Sequence, residues 1–319
     1  MASLVKHADL VAMDRTIRGA FLDAHSNTKY TPRWTFYATR QASTSKKNIY
    51  PMVIDAAQIR EWTEGGRTVN GIILEGASVT NQLWELTYGI RRVDIDDDLT
   101  GTVAMAVSRI KSGAMKYVKH PDKLASAVIT GNSTALDGVA LFHPTDHKVN
   151  PTDPDSAAFA NTASGALTPD NAASCRSAML SVPTADGEPA NDGDNMVLMV
   201  PPALELKARK VAQGDIVVHS STASDSAEVN VYKGMYTVVV NPRLGAAFSG
   251  GSDSYWYMAD ASDPEDRAVI VQVRQEVEIE AKFSPSDERA FNLDEFVWGS
   301  RARHTAAAGN PKKMFRRTG

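Results

Sequence analysis

The 319-residue sequence predicts an α+β chain, and three features of its patterning carry that expectation. Apolar residues recur at helical spacing in two separate stretches, 6–21 and 99–118. Short runs rich in aromatic and β-branched residues, bounded by Gly, Pro, Asn and Asp, occupy much of the remainder. No repeat of roughly 20 to 50 residues is present, so a solenoid or propeller is excluded.

Taken in order, Leu10, Met13, Ile17 and Phe21 form one face of an amphipathic helix between Lys6 and Phe21. Trp34, Phe36 and Tyr37, then Ile49, Met52, Val53 and Ile54, suit extended chain. The Gly65-Gly66 pair allows a reversal, with Ile72-Ile73-Leu74 and Leu83-Trp84-Glu85-Leu86 as further extended pieces. Asp94, Asp96, Asp97 and Asp98 are expected to cap a long helix running through Leu99, Val103, Val107, Ile110, Ala114 and Val118, with its positive end facing the carboxylates. Pro121 should kink or restart it before Leu124 to Ile129. The Pro, Asp, Asn and Ser content of 150–166 marks a surface loop or boundary. Thr168-Pro169-Asp170 starts a helix through Met179, Met196 to Val200 is a buried strand, and Pro201-Pro202 opens a helix through Gln213. Strands follow at Met235 to Val240, Tyr255 to Met258, Ala268 to Val273 and Val277 to Phe283, and Phe291 to Trp298 leads into a last extended segment with Arg301, Arg303 and His304.

A chain of this length, 43% hydrophobic, hides enough surface to fold without a disulfide, metal or cofactor, and none is expected. The single cysteine, Cys175, excludes an internal disulfide; it would be a nucleophile only with a base beside it. No apolar run reaches the length of a membrane span, and Met1-Ala2-Ser3-Leu4 does not open an export signal, so no membrane partner is expected. The net charge is −4, and basic residues gather only at Lys312, Lys313, Arg316 and Arg317, which does not describe a sequence-reading nucleic-acid binder.

Phosphate loops, dinucleotide fingerprints, nucleophile elbows and His-Glu-x-x-His are all missing. One cluster has metal-ligand chemistry: Phe142-His143-Pro144-Thr145-Asp146-His147 places two imidazoles and a carboxylate within five residues. Pro144 and the Pro/Asp-rich stretch beyond argue against a helix presenting both histidines together, which favours a structural turn. A metal-dependent hydrolase using His143, Asp146 and His147 is the competing reading.

Arg60-Glu61-Trp62, the Gly65-Gly66-Arg67 turn, the run Leu83 to Arg92, Asp94 to Asp98 with the long helix, Leu136-Asp137-Gly138 and Leu141-Phe142-His143 together, in this order and spacing, resemble the major head subunit family of phage Mu. The similarity is clearest over residues 55–150. It implies the Hong Kong 97 type phage capsid fold, with residues 1–29 as N-terminal arm, 30–93 as extended loop, 94–150 as peripheral domain with the long spine helix, 151–284 as axial domain, and 285–319 as the peripheral return strand and tail.

The resemblance also implies a major capsid protein of a tailed bacteriophage, self-assembling into pentamers and hexamers of an icosahedral shell around the DNA genome, assembled in the host bacterial cytoplasm. Its expected partners are copies of itself, a portal, a separate scaffold, decoration proteins and non-specifically contacted double-stranded DNA, which a near-neutral wall does not hold too tightly. Arg60, Trp62, Arg67, Trp84, Arg91, Arg92, Asp94, Asp96, Asp97 and Asp98 are the candidate contacts between subunits. Some relatives link subunits through a Lys-Asn bond; no lysine lies between Asn48 and Ile110, so a non-covalent shell is expected. An encapsulin-like nanocompartment of the same fold is the alternative within assembly.

Overall fold

The computed structural model describes residues 7–27, 29–54, 73–97, 101–220, 225–284 and 286–319. Its elements run α1 (His7–Ser26), β1 (Ala38–Ala42), β2 (Lys47–Ile54), β3 (Ile73–Thr80), β4 (Gln82–Arg91), α2 (Arg92–Asp96), α3 (Thr102–Thr130), β5 (His147–Lys148), β6 (Ala158–Phe159) and β7 (Thr162–Ser164). They continue through α4 (Pro169–Leu180), β8 (Met196–Val200), α5 (Glu205–Gln213), β9 (Ile216–Ser220), β10 (Asp225–Val229), β11 (Tyr236–Val240), β12 (Tyr255–Asp260), β13 (Val269–Lys282), α6 (Glu288–Leu293), β14 (Glu295–Ala308) and β15 (Met314–Thr318). Two compact units result, one of Met1–Pro32, Asn81–Asp122 and Val273–Thr305, the other of Arg33–Thr80, Lys123–Gln272 and Ala306–Gly319.

In the first unit β14 lies between β13 and β4, pairing antiparallel with β4 from Glu295 opposite Arg91 to His304 opposite Gln82. Strand alternation puts Phe296, Trp298 and Ala302 of β14 on one face, with Ile90 of β4 and Val277, Ile279 and Ala281 of β13. The helical stripe Leu10, Met13, Ile17 and Phe21 of α1 and the stripe Ile110, Ala114 and Tyr117 of α3 both pack there. Polar groups in this core have partners: Trp298 Nε1 donates to Asp14 at 3.1 Å, Asp14 takes Arg18 Nε at 2.8 Å, and Tyr117 OH donates to the Ser300 carbonyl at 2.9 Å. Gly113 makes the helix-to-sheet approach possible, since a Cβ there would lie 2.9 Å from the Tyr88 ring.

The second unit is organised by a five-stranded sheet of order β11-β8-β12-β15-β7. Strand β8 is buried at every position, as its unbroken Met-Val-Leu-Met-Val run requires. Helices α4 and α5 bury Ala172, Cys175, Met179, Ala208, Val211 and Ala212 with Met196, Leu198, Val200, Trp256, Met258 and Phe315. Helix α4 begins as its sequence dictates: Pro occupies the first turn and Thr168 Oγ1 accepts the Asn171 N–H at 3.2 Å.

Four expectations change. Asp94 and Asp96 do not open the long helix but belong to α2, and α3 starts at Thr102 with no acidic residue in its first turn; Asp98 lies outside the described residues. Short Asp side chains bond locally to backbone, which favours a brief turn over the start of a continuous helix. Pro121 does not restart the helix: α3 runs through it to Thr130 as one element. One helical hydrogen bond is lost there, and burial of Tyr117 before it and Ala125, Val128 and Ile129 after it outweighs that loss. Residues Arg33–Phe36 form a 3-10 turn rather than strand, and the two strands expected within 268–283 are one, β13.

Candidate assembly surface

Strands β2 and β3 pair antiparallel from Lys47 opposite Thr80 to Ile54 opposite Ile73 and form a sheet of two strands. At its base Asn48 Oδ1 accepts Ser43 and Ser45 hydroxyls at 2.9 and 2.7 Å, and Tyr50 OH donates to Gln272 Oε1 at 2.6 Å. Within that anchor Ile49 is 71% exposed, and a two-stranded sheet is marginal in water. The sequence-predicted contacts Arg60, Trp62 and Arg67 lie on the connection between β2 and β3, outside the described residues, as does Asp98.

The remaining candidates fall in the first unit. Arg91 grips Asp94 with both arms, at 3.0 and 2.8 Å, and this pairing raises the Arg91 pKa. Arg92 lies 3.8 Å from Asp96, its own neighbour one turn on. The charges are therefore matched locally along the surface, and Val93 between them is 53% exposed. Asp97 is exposed, its backbone N–H closing the turn on the Val93 carbonyl. Trp84 is not the free anchor its sequence suggested. It is half-buried, its Nε1 donates to the His304 carbonyl at 2.8 Å, and its ring meets His120 edge-on at 4.4 Å. His120 Nδ1 and His304 Nε2 share a hydrogen bond of 2.8 Å, and burial pushes the His304 pKa down to about 4.

The histidine cluster at 143–147 does not converge on a common point. His147 is fully buried, donates from Nδ1 to Asp137 at 2.6 Å and stacks on Phe159. His143 instead closes its own turn: Nδ1 accepts the Asp146 N–H at 3.0 Å, with Asp146 Oδ2 3.4 Å from Nε2. Among the described residues no three His, Cys, Asp or Glu side chains are grouped to hold a metal ion. The Asp137–His147 pair fixes the Asp-Gly turn, where Gly138 has φ +80° and Asp137 Oδ1 accepts the Val139 N–H. Two asparagines complete this scaffold: half-buried Asn132 bonds both backbone groups of Phe142, and buried Asn161 bridges Leu141 and Pro311. Sequence reading had no signal for these partners, which lie 10 to 150 residues apart.

The basic cluster is structural as well. Lys312 Nζ donates to the Val149 and Pro183 carbonyls at 2.8 and 3.2 Å, Lys313 Nζ to Ala190 at 2.6 Å, and Arg317 to Ser164 and Ser174. Burial lowers the Lys312 pKa. Cys175 is fully buried, and desolvation pushes its thiol up to about 12, so it is no nucleophile.

A two-stranded ribbon, a long helix against strands of a four-stranded sheet, and a five-stranded mixed sheet flanked by helices make up a subunit of the Hong Kong 97 type capsid fold. Over 99% of its length the chain matches 76% of a chain in the procapsid of bacteriophage JBD30, at 20% identity and a TM-score of 0.55. It also matches the capsid of the native GTA particle (91% of each chain, 11% identity, TM-score 0.52) and the bacteriophage PhiM1 mature capsid (92% of this chain, 88% of the other, 11% identity, TM-score 0.51). No curated protein sequence matches significantly. The chain belongs to the family described as Mu-like prophage major head subunit gpT, whose profile matches residues 10–169 and 245–316. It is a structural subunit of the phage head that associates with its own copies, and not an enzyme.

Proposed function

We propose that the subunit closes the head by laying the β2–β3 ribbon, with Arg60, Trp62 and Arg67 on its connection, across a neighbouring subunit within pentamers and hexamers. The single observation that carries this is that β2 and β3 form a sheet of two strands, paired with each other and joined to no further strand among the described residues. Backbone and apolar groups in that position are stabilised best by an adjacent copy. Arg91, Arg92, Asp94, Asp96, Asp97 and Asp98 form a second contact patch, whose local ion pairs exchange for pairs across the interface.

In this reading residues 1–29 act as the arm and 30–93 as the extended loop; 94–150, with the return strand in 285–319, supply the peripheral domain, and 151–284 the axial domain. The segment from Ala306 onward adds β15 to the sheet of the second unit. The shell is non-covalent, assembles in the host cytoplasm with a portal, a separate scaffold and decoration proteins, and encloses double-stranded DNA. Electron microscopy of the expressed chain tests the assembly step. Closed shells are expected from the parent chain, and Trp62→Ala with Arg60→Glu should give folded, unassembled subunits. A stable compact monomer from the parent chain, under conditions that assemble related heads, would refute the reading.

A further inference from the structure

The long helix α3 carries a charge pattern that its packing does not explain. From Thr102 to Pro121 it contains no acidic residue, while Arg109, Lys111, Lys116 and Lys119 are all exposed. At 3.6 residues per turn these four fall within less than half the circumference, opposite the buried Ile110, Ala114 and Tyr117, and span about 15 Å of axis. Lys119 sits 5.2 Å from the Tyr30 ring; Arg109, Lys111 and Lys116 make no ion pair with a described residue. The opposite face of the same unit is of mixed charge, with Arg274 and Lys282 in the same alternation of β13 as its glutamates. On β13 Glu276, Glu278 and Glu280 alternate outward, with Glu85 exposed on β4, and Arg301 lies 3.4 and 3.8 Å from Glu278 and Glu280.

We infer that the exposed face of α3 lines the inside of the head and contacts the phosphates of packaged duplex DNA, with the glutamate ridge of β13 turned outward. The inference rests on the proposal that the head holds DNA, and it adds which surface meets it. A polyanion is drawn to the face whose cations have no acidic neighbour between Thr102 and Pro121, whereas on β13 Glu276, Glu278 and Glu280 are balanced by Arg274, Lys282 and Arg301. Between the cations lie Ser108 and Ser112, and Met105 is the one large exposed apolar side chain of the described part of α3. A protein partner would require apolar anchors at such a surface, whereas phosphate contacts need charge alone. Four cations per subunit, in a chain of net charge −4, give a weak and salt-dependent hold suited to DNA that must enter and leave.

The test uses intact heads and a small amine-acetylating reagent, comparing DNA-filled particles with particles emptied of DNA. Lys111, Lys116 and Lys119 should be acetylated several-fold more slowly in filled heads, the difference shrinking as salt is raised, while Lys282 on the ridge side reacts equally in both. Equal rates at all four lysines in closed shells would overturn this inference alone. Protection of the α3 lysines in DNA-free precursor heads that still hold an internal protein would also overturn it, and would assign the face to an acidic scaffold. Failure to obtain any closed shell would overturn both this inference and the proposed assembly.

Discussion

Two charged runs, Arg91 to Asp97 of mixed sign and Lys312 to Arg317 wholly basic, end in opposite places. The first pairs its charges with neighbours three and four residues away and leaves them in solvent. The second threads through the second unit, with Lys312 and Lys313 donating to carbonyls more than a hundred residues distant. Local exposed pairs add little to the stability of a single chain, so the first run remains available for exchange with a neighbouring subunit. Buried cations held by backbone carbonyls cannot be released without leaving both sides unsatisfied, so the second run is committed to the fold.

The contrast is broken most severely by Lys313→Ala, which strands the Ala190 carbonyl that the buried ammonium bonds; a loss of about 3 kcal/mol in chemical denaturation of the unassembled chain is expected. Asp137→Ala should cost about 2 kcal/mol by leaving the His147 imidazole buried with neither nitrogen bonded, and a change below a few tenths would show that the pair is dispensable.

A third effect depends on pH. Because the folded His304 titrates near 4 and an unfolded histidine near 6.5, the unfolded chain takes the proton first on acidification. The stability this neutral imidazole contributes is whole above pH 6.5 and declines as pH falls toward 4, by something on the order of 2 kcal/mol. His304→Gln should flatten that slope in pH-dependent unfolding.

The smallest effect on the lone chain is expected from Arg91→Ala, with no measurable shift in Tm, because the guanidinium is solvent-exposed with a local partner. The same substitution should lower the yield of closed shells; equal yield would remove Arg91 from the contact patch.

The sequence alone was sufficient wherever the determinant is local. The four-residue stripe of α1, the unbroken apolar run of β8 and the Thr168-Pro169 start of α4 were legible because helix period, strand burial and capping are set by residues within one or two turns. Tertiary structure decided the fate of the charges. Nothing near Lys312 announces that its partners are the carbonyls of Val149 and Pro183, and nothing beside His147 points to Asp137. A charged side chain reads as solvated in sequence because its neighbours in the chain leave it so. It becomes a core residue only when distant backbone supplies enough hydrogen bonds to offset its desolvation, and that supply exists only after folding.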